Sequence, residues 1–138
     1  MKLSPALVLF KRTKHHKGSI YCIAWSPDGS LIATGSNDKM VKLMHYNNDE
    51  NQLSGREIEL TMHDGTVRDV CFLEDSSINK NVIISGGAGN CIVYATDCQC
   101  ATPFSAYSGH TSQILSLYSM TGQKFVSGSQ VSIFEILF

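Results

Sequence analysis

The sequence predicts an all-β chain, built as about three repeats of four short antiparallel strands. His16, His63 and His110 stand at equal intervals of 47 residues, and each is followed by a small polar linker and an apolar, strand-like run. A second apolar run in each repeat ends in paired small residues, Gly35-Ser36, Gly86-Gly87 and Gly128-Ser129. Composition points the same way. Charged residues are 17% of the 138, below the roughly 25% usual for soluble domains, while Gly, Ser and β-branched residues are plentiful. A hydrophobic fraction of 43% is enough to supply a core and excludes intrinsic disorder.

In the first repeat the run 18–25 reads as a strand and Ser26-Pro27-Asp28-Gly29 as a turn. Strands at 31–34, 40–46 and 57–62 follow. The second repeat gives 65–72, a polar loop at 74–81, then 82–85, 91–96 and 104–107. The third gives 112–118, a turn at Met120-Thr121-Gly122, and 124–127. The glycines that close the second strands are expected to supply the positive φ of a tight hairpin. Four short strands in a unit of about 40–45 residues is the period of a β-propeller blade. The predicted blades span about 16–62, 63–109 and a truncated 110–138, with 6–11 as the outer strand of a preceding blade.

These units resemble WD40 repeats. The likeness is carried by Gly109-His110, by the turn at 26–29, and by Ala33-Thr34-Gly35-Ser36-Asn37-Asp38. The pattern is degenerate: Met44 and Ala95 stand at the closing Trp position, and Gly89 stands where the hairpin Asp belongs. The resemblance implies a partial WD40 propeller and a non-enzymatic scaffold that binds other proteins. It also implies a buried hydrogen-bond chain through His16, Thr34 and Asp38 in blade one. The reduced counterparts are His63 with Ser85 and His110 with Ser127. Within the family the chain is similar over about 7–130 to a neuronal, microtubule-associated branch. That likeness rests on the segments 15–22, 24–27, 33–39, 62–66 and 96–98, and it implies tubulin or microtubule-associated proteins as partners and a cytoskeletal role. The alternatives are a generic adaptor of a ubiquitin-ligase or trafficking complex and, from another class, an enzyme built on a propeller.

A closed propeller takes about 4 to 8 blades, so three would leave open faces and strand edges and invite self-association. The chain is therefore expected to be a truncated product. After Gln130 the family pattern stops, and Val131-Ser132 can be encoded by the start of an intron, as if translation had read through a splice site.

The family topology points to Ser19, Tyr21, Asn37, Thr66, Arg68 and Gln113 as partner-binding positions, with Tyr21 and Arg68 foremost because Tyr and Arg are favoured anchors at interfaces. Trp25, Phe72 and Tyr118, at nearly one offset from the repeat histidines, read as core-packing residues. Lys11, Arg12, Lys14, His15, His16 and Lys17 form a basic run that could meet acidic tubulin tails or phosphate, yet reads better as a solvated outer strand and loop. No fold signature for nucleic acid accompanies it.

A net charge of −1 offers no global field for nucleic acid or membrane. The apolar run 6–10 is followed by Lys11, Arg12 and Lys14 rather than a signal-peptide cleavage site, and no stretch reaches the ~20 apolar residues of a membrane span. Cys22, Cys71, Cys91, Cys98 and Cys100 lack a framework spacing and suit reduced thiols, so a cytoplasmic location is expected. No metal, cofactor or catalytic residue is predicted. Cys98-Gln99-Cys100 has no second pair, the repeat histidines fall on separate blades, and the glycine-rich 86–90 is a hairpin turn rather than a phosphate loop.

Overall fold

A computed structural model describes residues 12–74, 80–131 and the backbone of 134–137. The strand predicted at 6–11 and Lys11 lie outside the described residues. The strands are β1 (Ile20–Trp25), β2 (Leu31–Ser36), β3 (Val41–Asn47), β4 (Gln52–Leu60), β5 (Val67–Phe72), β6 (Val82–Gly87), β7 (Val93–Asp97), β8 (Thr102–Tyr107), β9 (Ile114–Met120), β10 (Lys124–Ser129) and β11 (Phe134–Leu137). They form three antiparallel meanders, β1-β2-β3-β4, β5-β6-β7-β8 and β9-β10-β11. The described residues contain no helix.

Two elements differ from the expectation. β4 starts at Gln52 because the hairpin before it is tight: the Asn47 side chain accepts the N–H groups of Asp49 and Glu50, and Asn51 takes a left-handed φ of 50°. The tail, whose sequence departs from the repeat, nevertheless supplies a third strand to blade three. β11 pairs along β10 from Gly128↔Phe134 to Phe125↔Leu137. A run of aromatic and branched residues suits a strand whatever its origin.

The closing glycines are also used differently. None of Gly35, Gly86, Gly87 or Gly128 has positive φ; that conformation falls to Lys39, Gly89 and Cys91 in the hairpins and to Gly29 and Gly122 in the turns. Space is what requires glycine at 35 and 87 and favours it at 86, whereas a Cβ on Gly128 would come no closer than 4.0 Å to Ser116 Cβ. A Cβ on Gly35 would lie 2.6 Å from both Cys22 Sγ and Val67 Cγ1, and one on Gly87 would run into the Thr66 carbonyl oxygen.

Two cores lie between the sheets. Leu31, Ala33, Val41, Leu43 and Leu60 of blade one pack against Val67, Val70, Phe72 and Ile83 of blade two. Val82, Ile84, Val93 and Ala95 of blade two pack against Ile114, Leu117 and Phe125 of blade three. Each blade thus offers a leading face to its predecessor and a trailing face to its successor. In blade two the leading residues Val67, Val70 and Phe72 are at most 4% exposed. Their counterparts 47 residues earlier, Ile20, Ile23 and Trp25, are 49%, 68% and 53% exposed.

The expectation that Trp25, Phe72 and Tyr118 are all core is therefore corrected. Phe72 is buried, Trp25 lies on the uncovered leading face of blade one, and Tyr118 is 72% exposed. Register explains Tyr118: Trp25 pairs with Ile32 and Phe72 with Ile83, but in blade three the equivalent partner Phe125 faces Ser119. An offset shorter by one residue turns a strand side chain to the opposite face.

Candidate partner-binding surface

Each blade is opened by a loop that leads from its histidine into its first strand, and that loop is tied to the hairpin after the second strand. The carbonyl of Ser19 accepts the N–H of Asn37 at 3.1 Å, that of Thr66 the N–H of Ala88 at 2.8 Å, and that of Gln113 the N–H of Gln130 at 3.1 Å. Ser19, Thr66 and Gln113 therefore hold equivalent places at one end of the three sheets. Asn37 stands beside Gly18, where a Cβ would collide with its Oδ1.

Two residues along each first strand come Tyr21, Arg68 and Leu115, again 47 apart. Tyr21 and Leu115 are 49% and 47% exposed. Arg68 reaches from blade two onto blade one, its Cζ 4.7 Å from the centroid of the Tyr21 ring, a cation–π contact. Arg68 Nε is buried and has no hydrogen-bond acceptor. The structure thus joins Tyr21 with Arg68 and ties Ser19 to Asn37. It draws Gln113 aside instead, its Nε2 donating to Gln130 Oε1 at 3.1 Å. Sequence reasoning missed Leu115 and Gln130; counting 47 residues on from Arg68 finds the first.

Charge at this end is uneven. Asp38 is occupied by His16 Nδ1 at 2.8 Å and by the N–H groups of Lys17 and Met40, each at 3.0 Å. Asp64 Oδ1 accepts the N–H of Asn90 at 2.8 Å. Among the described residues, Lys17, Lys39 and Arg68 form no ion pair.

The repeat histidines hold these loops in place. His16 Nδ1 faces Asp38, and its Nε2 lies 2.8 Å from Thr34 Oγ1. The order acid, imidazole, hydroxyl is that of a hydrolytic triad, but His16 and Thr34 are both buried, which leaves the hydroxyl no access to a substrate. His63 Nε2 meets Ser85 Oγ at 2.9 Å and His110 Nε2 meets Ser127 Oγ at 2.8 Å. In blade two the His63 ring also packs edge-on against Tyr94 at 5.0 Å. Burial lowers the His63 pKa to about 4 against an opposing pull from Asp64, so the ring is neutral at pH 7.

The basic run is only partly solvated. Arg12, Lys14 and Lys17 are exposed, whereas His15 Nδ1 lies 2.9 Å from Glu57 Oε1. Beside it Lys42, a buried lysine, bridges Glu57 Oε2 at 3.3 Å and Glu59 Oε1 at 3.2 Å and also donates to the His15 carbonyl. Burial would lower the Lys42 pKa, but its two carboxylates outweigh that and raise it, so the charge is kept.

Comparison with known proteins places these repeats. Residues 8–44 match the family model described as WD domain, G-beta repeat. The chain is 29% identical over 98 residues to the Poly(A)+ RNA export protein of Schizosaccharomyces pombe, which covers 71% of this chain and 26% of that protein. It is 29% identical over 122 residues to Cell division cycle 20.1, cofactor of APC complex, of Arabidopsis thaliana, covering 87% of this chain and 24% of that protein. The chain thus spans about a quarter of the length of these two relatives. Among solved structures, U3-55K superposes with a TM-score of 0.69 at 17% identity, over 86% of this chain and 33% of that one. The WD40 repeats of RRP9 give 0.69 at 17%, over 85% and 32%. The fold is that of consecutive WD40 propeller blades.

Proposed function

From a chain of WD40 repeats, we propose a non-enzymatic protein-interaction scaffold whose partner docks on the end formed by the opening loops and the second hairpins. The observation that carries this is the Tyr21–Arg68 contact, an aromatic and a guanidinium from the first strands of neighbouring blades, part-exposed just beyond loops fixed to their hairpins. Tyr and Arg dominate binding energy at such surfaces. The histidine-hydroxyl pairs, which would be the catalytic alternative, are buried. Neither of the relatives named above carries an enzymatic name.

Quantitative capture from cell extract with wild type and with Tyr21→Ala/Arg68→Ala, matched by circular dichroism, tests the reading. Proteins recovered by wild type and lost by the variant support it; identical recovery overturns it.

A cytoskeletal partner is the second reading, favoured by the segments that resemble the carboxyl-terminal propeller of nemitin, a microtubule-associated WD-repeat protein. The names of the relatives above carry no microtubule term. Co-pelleting with microtubules at low salt tests it, and a chain left wholly in the supernatant sinks it. We place the protein in the cytoplasm, in keeping with its five free cysteines, of which burial pushes Cys22, Cys71 and Cys98 up to about 12. Cell fractionation checks that location.

A further inference from the structure

We propose that the Tyr21–Arg68 end takes an acidic peptide segment of its protein partner, with Arg68 meeting a carboxylate. This rests on the partner-surface reading above and adds the chemistry of what is bound. Three cations stand at this end without an ion pair among the described residues: Lys17 and Lys39 on the loops of blade one and Arg68 at the start of β5. Of the two carboxylates on these loops and hairpins, Asp38 is occupied on both oxygens, and Asp64 is occupied on Oδ1. Three cations against these two carboxylates leave an excess of positive charge at this end of a chain whose net charge is −1, so the attraction is a property of this place and not of the whole molecule.

Arg68 is prepared for a carboxylate by its packing. The Tyr21 ring holds the guanidinium carbon 4.7 Å from its centroid, which removes side-chain freedom before any partner arrives. Arg68 Nε is buried without an acceptor, so the head group has already lost part of its water. A planar fork that is half dehydrated and fixed gains more from a bidentate carboxylate than a freely solvated lysine does. Leu115, at the same place one blade further on, is 47% exposed and adds an apolar flank. The segment that fits therefore alternates acidic and apolar side chains.

The probe is a fluorescein-labelled peptide of alternating Glu and Leu, with its Gln-for-Glu counterpart and a single-stranded oligonucleotide of equal charge, read by anisotropy at low salt. The expected result is binding of the acidic peptide, weakened about tenfold or more by the Gln counterpart and by Arg68→Gln. Arg68→Lys, which keeps the charge and loses the fork, should fall between. Tyr21→Ala should also weaken binding, and Arg12→Gln, on the exposed part of the basic run, should leave it unchanged. Circular dichroism melts establish that each variant is folded.

Equal affinity for the Gln peptide, no effect of Arg68→Gln, tighter binding of the oligonucleotide, or no binding at all would overturn the acidic-peptide assignment. Failure of this assignment is distinguishable from failure of the surface reading. If captured cellular proteins are still lost with Tyr21→Ala/Arg68→Ala while the acidic peptide fails, the surface stands and its chemistry falls.

Discussion

The carboxylate of Asp69 on β5 accepts the backbone N–H of Leu117 on β9 at 2.7 Å through Oδ2, while its Oδ1 accepts the N–H of Val70 at 2.9 Å. One side chain thereby joins blade two to blade three at a strand irregularity, and no equivalent exists in the other blades, where Cys22 and Ser116 occupy the place. Asp69→Ala leaves the Leu117 donor unmet and should cost about 1–3 kcal/mol, measured by urea unfolding.

The same residue gives a pH signature. Burial raises the Asp69 pKa, although the Leu117 and Val70 N–H groups pull it down. A folded value above the unfolded one means that folding favours the protonated acid. Its contribution is therefore fully present below the unfolded pKa and is lost as pH rises through the folded value. The stability of wild type relative to Asp69→Asn should accordingly decline as the solution is brought from acid to neutral pH.

His63 acts with the opposite sign. Its pKa falls from 6.5 to about 4 on burial, so folding requires the neutral ring. Its contribution is complete above pH 6.5 and is lost progressively as pH falls towards 4. His63→Gln should flatten that part of the stability profile, read as melting temperature against pH.

Gly87 has no room for a side chain, because a Cβ would meet the Thr66 carbonyl oxygen, whereas nothing lies within 4 Å of a Cβ on Gly55. Gly87→Ala should therefore destabilise by about 1–3 kcal/mol through overpacking. Gly55→Ala bears only the strain of a positive φ of 73°, about 1–2 kcal/mol, without disturbing any neighbour. Chemical denaturation together with amide exchange separates the two, since only the first should loosen β5 and β6.

The uncovered leading face of blade one should make this 138-residue chain associate, as expected from its repeats. Trp25→Ser with Ile23→Thr should shift the sedimentation profile towards monomer. A wild-type chain that already sediments as a monomer at high concentration would contradict this.

Much of this architecture was legible because the 47-residue period fixes equivalent places. Ser19, Thr66 and Gln113 follow from the family topology, and the repeat alone implies that Tyr21 and Arg68 lie one blade apart. What the period did not show is the register within a strand: a shortfall of one residue sent Tyr118 to the face opposite Phe72. Nor did it show the reason for glycine, since a hairpin needing positive φ and a strand needing closeness leave the same letter at 35 and 87. The Asp69–Leu117 bond was invisible because it is not repeated, and β11 was missed because its sequence leaves the pattern while its backbone does not.

The row Ile20, Ile23 and Trp25 corresponds to the surface that blades two and three turn towards their predecessors, never towards their successors. Contact through it is consequently directional. Two copies meeting row to row about a twofold axis would bring like surface against like, whereas the internal joints of the chain pair unlike surfaces. Association that imitates those joints is heterologous, so it obeys the arithmetic of rotation: it ends in a ring when the turns sum to a full circle and otherwise continues as a helical filament.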